Sequence, residues 1–198
     1  MLFNSFLFLA FFTLTYLIYW QLRGKVRSYF LIFASALFYA TWGLEREGWI
    51  GLRWLFHFIA ILFVNYGLVR WMISRPARRR VALVLAILLN TGNLALFKYA
   101  GFFLQVISDL SIPAWDISEG IFLPLAISFY TFQIIAFAVD VYRGQVSEEI
   151  DFRKYALFIL FFPQLIAGPI MRSSDFLPRL DLPSISRRRL NDGIWLIL

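Results

Sequence analysis

The chain has 198 residues, of which 61% are hydrophobic, 20% aromatic and only 16% charged, with the apolar residues in long blocks; this composition marks a polytopic membrane protein and excludes a soluble core domain. A net charge of +7 would suit nucleic acid, but the charges sit in short loops and form no basic face, so membrane topology accounts for them and no nucleic acid is expected. With no cysteine the chain has no disulfide, thiolate metal site or thioester acyl-enzyme, and no His/Asp/Glu cluster has metal-ligand spacing.

Five apolar blocks are predicted to span, all within one domain: Phe3 to Leu22, Ser28 to Gly43, Trp49 to Trp71, Val81 to Val106 and Ile121 to Tyr142. No Lys or Arg precedes the first and no small-residue cleavage pattern follows it, so it reads as a retained helix. The second is the weakest, shorter than the roughly 20 residues a bilayer needs. The third has Trp at both ends, as expected of rings at headgroup level. The fourth holds Asn90-Thr91-Gly92-Asn93 at its middle, a polar run predicted to face other helices.

Basic residues alternate with loop number. They fall in the first loop (Arg23, Lys25, Arg27), the third (Arg75, Arg78 to Arg80) and the fifth (Arg143, Arg153, Lys154), whereas the second has only Arg46 and the fourth, Ile107 to Gly120, only acids. The positive-inside rule therefore places the amino terminus outside and the odd loops in the cytoplasm.

After the fifth block comes Phe161-Phe162-Pro163-Gln164-Leu165-Ile166-Ala167-Gly168-Pro169-Ile170-Met171-Arg172, apolar enough for the membrane yet unable to form one continuous helix. Each proline removes a backbone donor and disfavours helix before it, so breaks are expected near Phe162 and Gly168. Non-helical backbone survives at membrane depth only where protein buries it or where it lines a cavity. The segment is thus predicted to be a re-entrant pocket wall, which also returns Arg172, Arg179 and Arg187 to Arg189 to the cytoplasm. The Arg187 to Arg189 run is expected to meet anionic lipid. Gly193 to Leu198 begin a further helix that six residues cannot complete, so a fragment of a longer protein is expected.

Several polar residues interrupt the apolar blocks. On the fifth helix Tyr130, Gln133 and Asp140 project to one side, and Ser128, Thr131 and Tyr142 to the other, predicting contact on two faces. Gln133 and Asp140 either line a pocket or serve as interhelical glue and an interfacial charge. The single histidine, His57, has Arg53 one turn earlier and no second group at catalytic spacing, so a hydrogen bond to a neighbouring helix is expected rather than base chemistry. Lys98 can snorkel. Arg172 suits phosphate or carboxylate at a pocket mouth, or simple anchoring. From these features alone, a transporter and an enzyme are equally compatible.

Three stretches taken together resemble the membrane-bound O-acyltransferases, in particular their alginate O-acetyltransferase branch: Phe97-Lys98-Tyr99; Leu123 to Gln133 (LPLAISFYTFQ) with Asp140-Val141-Tyr142-Arg143-Gly144; and Phe162 to Arg172 (FPQLIAGPIMR). The resemblance implies an all-α ring of helices around a thinned core, in the bacterial inner membrane. It implies transfer of an acyl group, acetyl in the closest branch, from a cytoplasmic thioester donor such as acetyl-CoA or an acyl carrier to hydroxyls of an exported polysaccharide, often with extracytoplasmic acyltransferase partner proteins. Gln133, Asp140, Pro163, Gln164, Gly168, Pro169 and Arg172 are the candidate tunnel-lining or substrate-lining positions. The family's general base is a histidine well downstream of the Gly-Pro motif; none follows Gly168 in this chain, and it is expected beyond Leu198. A polysaccharide or lipid-linked sugar transporter, or a non-catalytic membrane scaffold, is the alternative.

Overall fold

Chains this apolar fold as helices, and glycine and proline decide where those helices stop. The computed structural model describes residues 5–109, 123–146, 150–168 and 171–180. Helix α1 is Phe6–Gln21, capped by the Ser5 hydroxyl, which accepts from the Phe8 N–H at 3.1 Å. Helix α2 is Lys25–Glu47, a 3-10 turn at Gly48–Gly51 follows, and α3 is Leu52–Ser74. A second such turn, Pro76–Arg78, leads into α4, Arg79–Asp109. Then come α5 Ile127–Tyr142, α6 Phe152–Leu160, α7 Phe162–Ala167 and α8 Ser173–Leu180.

Each of the five predicted blocks holds a helix, but two stretches among the described residues are long and apolar enough to cross a membrane: Lys25–Ser74, which runs through α2 and α3, and Pro76–Tyr99 of α4. Helices α1 and α5 have 16 residues each. The block expected to be weakest, Ser28 to Gly43, is instead part of a 23-residue helix. Gly24 at φ 58° and Gly48 at φ 60° set its ends, beyond the charged residues, and long Lys, Arg and Glu side chains ride on the terminal turns.

The α2–α3 corner depends on two glycines. A Cβ on Gly43 would collide with the Gly51 carbonyl, and one on Gly51 with the Gly43 carbonyl. Glu47 fixes the same corner, accepting from Arg53 at 2.8 Å and from the Trp54 indole at 2.9 Å. The hairpin closes on an aromatic column: Phe58 lies 4.9 Å from Tyr39, tilted, and 4.4 Å from Tyr130, stacked, between ring centroids. Phe137 continues the core towards Tyr155 and Phe158.

Of the polar run on α4, Asn90 is buried and Asn93 half-buried, whereas Thr91 and Gly92 are exposed. Positions three apart share a helix face and the two between them do not, so only half of the run faces other helices. Asn90 and Asn65 form a reciprocal amide pair at 2.6 and 3.3 Å. His57 Nε2 lies 3.0 Å from Asn93 Oδ1, the helix-neighbour bond expected of it. Lys98 is exposed.

Candidate functional site: a split helix held by its neighbours

Helix α6 begins with an Asp151 cap, whose Oδ1 accepts from the Lys154 N–H at 2.8 Å. Beside it Arg153 is buried, donating to Ser28 Oγ at 2.7 Å and pairing with Asp151 at 3.2 Å. Tyr66 donates its hydroxyl to the Ile150 carbonyl at 3.2 Å. From Tyr155 to Leu160 every residue is buried, so this helix contacts protein on all sides.

The helix then breaks where the prolines predicted. Phe161, at φ −54° and ψ 106°, leaves helical geometry, and Pro163 stands in the first turn of α7, where its missing N–H costs nothing. In an unbroken helix the Phe162 N–H would bond to the Phe158 carbonyl. Here the two part: the Phe162 N–H bonds to Ser35 Oγ of α2 at 3.2 Å, and the Phe158 carbonyl accepts from Gln133 Nε2 of α5 at 2.8 Å. Both side chains are fully buried. An orphaned backbone group there would cost about 1–3 kcal/mol, which the two residues avoid.

The second break falls at Gly168, whose N–H bonds to the Gln164 carbonyl at 3.0 Å. A Cβ at Gly168 would lie 2.6 Å from Gln164 Cγ, so this close approach needs glycine. Beyond the break, Ser173 donates to Asp140 Oδ2 at 2.9 Å. Asp140 is in the last turn of α5, and Tyr142 at its end lies under the Arg79 guanidinium, 4.8 Å from the ring centroid. The start of α4, the end of α5 and the starts of α6 and α8 thus share one end of the bundle. The chain enters at Asp151 and is back at that end by Ser173.

The candidate positions sort by these contacts. Gln133 and Asp140 do share one face of α5, and there they hold the break and the return respectively. Gln164 is buried and Arg172 exposed at the shared end. Pro163, with Phe161 and Phe162, walls a cavity of about 260 Å³ against α1; Gln133, Asp140, Gln164, Gly168 and Arg172 do not line it. Pro169 lies outside the described residues. No group of three potential metal ligands occurs among the described residues. Sequence reasoning missed Ser35 and Ser28. The available signal was their spacing, two helical turns apart on one face of α2, which does not name the partner.

The chain is 31% identical over 189 residues to the probable alginate O-acetylase AlgI of Pseudomonas aeruginosa, in an alignment covering 91% of this chain and 35% of that protein. It is 31% identical over 210 residues to a peptidoglycan O-acetyltransferase of Helicobacter pylori, covering 90% and 38%. It is 29% identical over 198 residues to the probable alginate O-acetylase AlgI of Pseudomonas putida, covering 98% and 40%. The chain therefore spans 35 to 40% of the length of these relatives. No protein-family model and no solved structure matches it.

Proposed function

The chain is homologous to the alginate O-acetylases and to a peptidoglycan O-acetyltransferase of the membrane-bound O-acyltransferase family, and from that premise we propose that it serves the transfer of an acetyl group from a cytoplasmic thioester to hydroxyls of an exported polysaccharide. In this reaction the carbon–sulfur bond of the thioester breaks and a carbon–oxygen bond forms. A general base takes the hydroxyl proton, and the departing thiolate is protonated. In this reading the chain's single histidine, His57, whose Nε2 lies 3.0 Å from Asn93 Oδ1, is not that base.

The residues present supply positioning. The split between α6 and α7 has its Phe162 N–H and Phe158 carbonyl both satisfied, as a tunnel wall at membrane depth would require. Gln133 and Asp140 hold the break and the return of that wall, and in this reading the exposed Arg172 takes the phosphates of a thioester donor. The end that carries Arg79, Arg153 and Arg172 is assigned to the cytoplasm by its basic residues, and the amino terminus to the outside. Five spans with a re-entrant α6–α7 then fit the multi-pass inner-membrane architecture. Extracytoplasmic partner proteins are expected to complete delivery to the polymer.

The observation that carries this reading is 31% identity across 91% of the chain to an alginate O-acetylase. Its test is the O-acetyl ester content of the exported polysaccharide in cells lacking the gene and in complemented cells. The content should fall to background in the deletion and return on complementation. Unchanged content in the deletion would overturn the proposal.

A further inference from the structure

Between α1 and the α6–α8 segment lies the open cavity of about 260 Å³ already described, with Thr15, Tyr16, Trp20, Leu31, Pro163 and Phe176 among its walls. Its lining is almost wholly aromatic and aliphatic. At one end the Trp20 Nε1–H is buried without a hydrogen-bond partner. The Arg27 guanidinium sits over that indole, 5.1 Å from its centroid, and 5.3 Å from the Tyr19 ring. Arg23 and Lys25, in the same connection between α1 and α2, are exposed.

We propose that this groove is a specific binding site for one acyl chain of an anionic glycerophospholipid, whose phosphate rests on Arg23, Lys25 and Arg27. The groove is apolar, as a hydrocarbon chain requires, and its volume suits a stretch of one chain rather than a headgroup. Trp20 presents its ring to the groove and carries the Arg27 guanidinium on its face, which brings a cation to the end of the apolar lining. Three cations around one end select a negative headgroup over a zwitterionic one. A lipid so placed wedges α1 against Phe162 and α8, filling a gap the side chains leave open. The groove shares Pro163 with the wall assigned to the tunnel, but the cations at its end have no part in the acyl-transfer reading.

The test compares phosphatidylglycerol and phosphatidylcholine with identical chains, each titrated onto the detergent-purified protein and followed by native mass spectrometry. Phosphatidylglycerol is expected to be retained more strongly, by about fivefold for each basic residue engaged. Arg23→Gln, Lys25→Gln and Arg27→Gln combined should erase that preference while chain retention persists. A second measurement avoids any groove-filling variant: phosphatidylglycerol with brominated chains should quench part of the tryptophan fluorescence, and Trp20→Phe should remove that quenched component. Equal retention of the two lipids by the parent protein, retention of neither because a protein segment fills the groove, or quenching unchanged in Trp20→Phe would each overturn the site.

Discussion

Ser35 and Gln133 hold the two halves of one hydrogen bond that the chain does not make. Ser35 accepts from the Phe162 N–H at 3.2 Å and Gln133 donates to the Phe158 carbonyl at 2.8 Å, so helices α2 and α5 together keep α6 and α7 apart. Ser35→Ala and Gln133→Leu should each destabilise the protein by about 1–3 kcal/mol, since each leaves one buried backbone group unpaired. The double variant should cost less than the sum, because both act on one break. Thermal unfolding in detergent would measure this, and single variants indistinguishable from the parent would show that the break needs no such support.

The return of the chain to one end of the bundle predicts a labelling pattern. Cysteines at Arg78 and Arg172, both exposed, should react with an impermeant reagent from the same membrane face, and a cysteine at Trp49, which is 82% exposed, from the other. Positions 78 and 172 reporting opposite faces would eliminate a re-entrant α6–α7.

The glycine pair at the α2–α3 corner should be intolerant of any side chain. Gly43→Ala or Gly51→Ala forces backbone apart and should cost about 1–3 kcal/mol or more. Gly67→Ala, with nothing within 4 Å of its added Cβ and an interior helical position, should instead be neutral or stabilise by up to about 1 kcal/mol. Folded yield and unfolding temperature of the three variants would separate these outcomes, and equal effects at all three positions would contradict the close approach.

In the protein that carries out acyl transfer, Arg172→Ala should lower turnover more than it lowers folded protein in the membrane, since its side chain is exposed and its role in the proposal is to bind the donor. His57→Ala should leave turnover within a few-fold of the parent once expression is normalised; loss of a general base typically costs about 10²- to 10⁴-fold. A His57 effect in that larger range would reassign the base.

Much of this arrangement was legible in the residues, and the rest was hidden for a definable reason. The proline positions announced a break near Phe162 and another near Gly168, because both effects of proline are local. Helical geometry likewise put Gln133 and Asp140 on one face. What local rules could not supply was the partner: that Gln133 meets a backbone carbonyl, and that an unremarked Ser35 meets the opposing N–H, depends on how α2 and α5 dock. The apolar block Ser28 to Gly43 is shorter than α2 because charged residues flank it, whereas the helix ends are set by Gly24 and Gly48. Thr91 and Gly92 share the polarity of Asn90 and Asn93, but the helix turns them away.

The split at Phe161 also bears on how the protein is made. Helix α6 has nine residues and α7 six, so the longer is only ~14 Å at about 1.5 Å per residue, less than half of a hydrocarbon core of about 30 Å. Neither can leave the insertion machinery for lipid as an independent hydrophobic unit, and the unpaired groups at Phe158 and Phe162 would make early release still more costly. In the re-entrant arrangement proposed above, the segment would enter a cleft that α2 and α5 have already formed, which would make its integration post-assembly and conditional on theirs. Disrupting the Gln133 contact should therefore lengthen the interval during which residues near Pro163 stay accessible to protease in nascent chains, a delay that pulse-chase digestion would reveal.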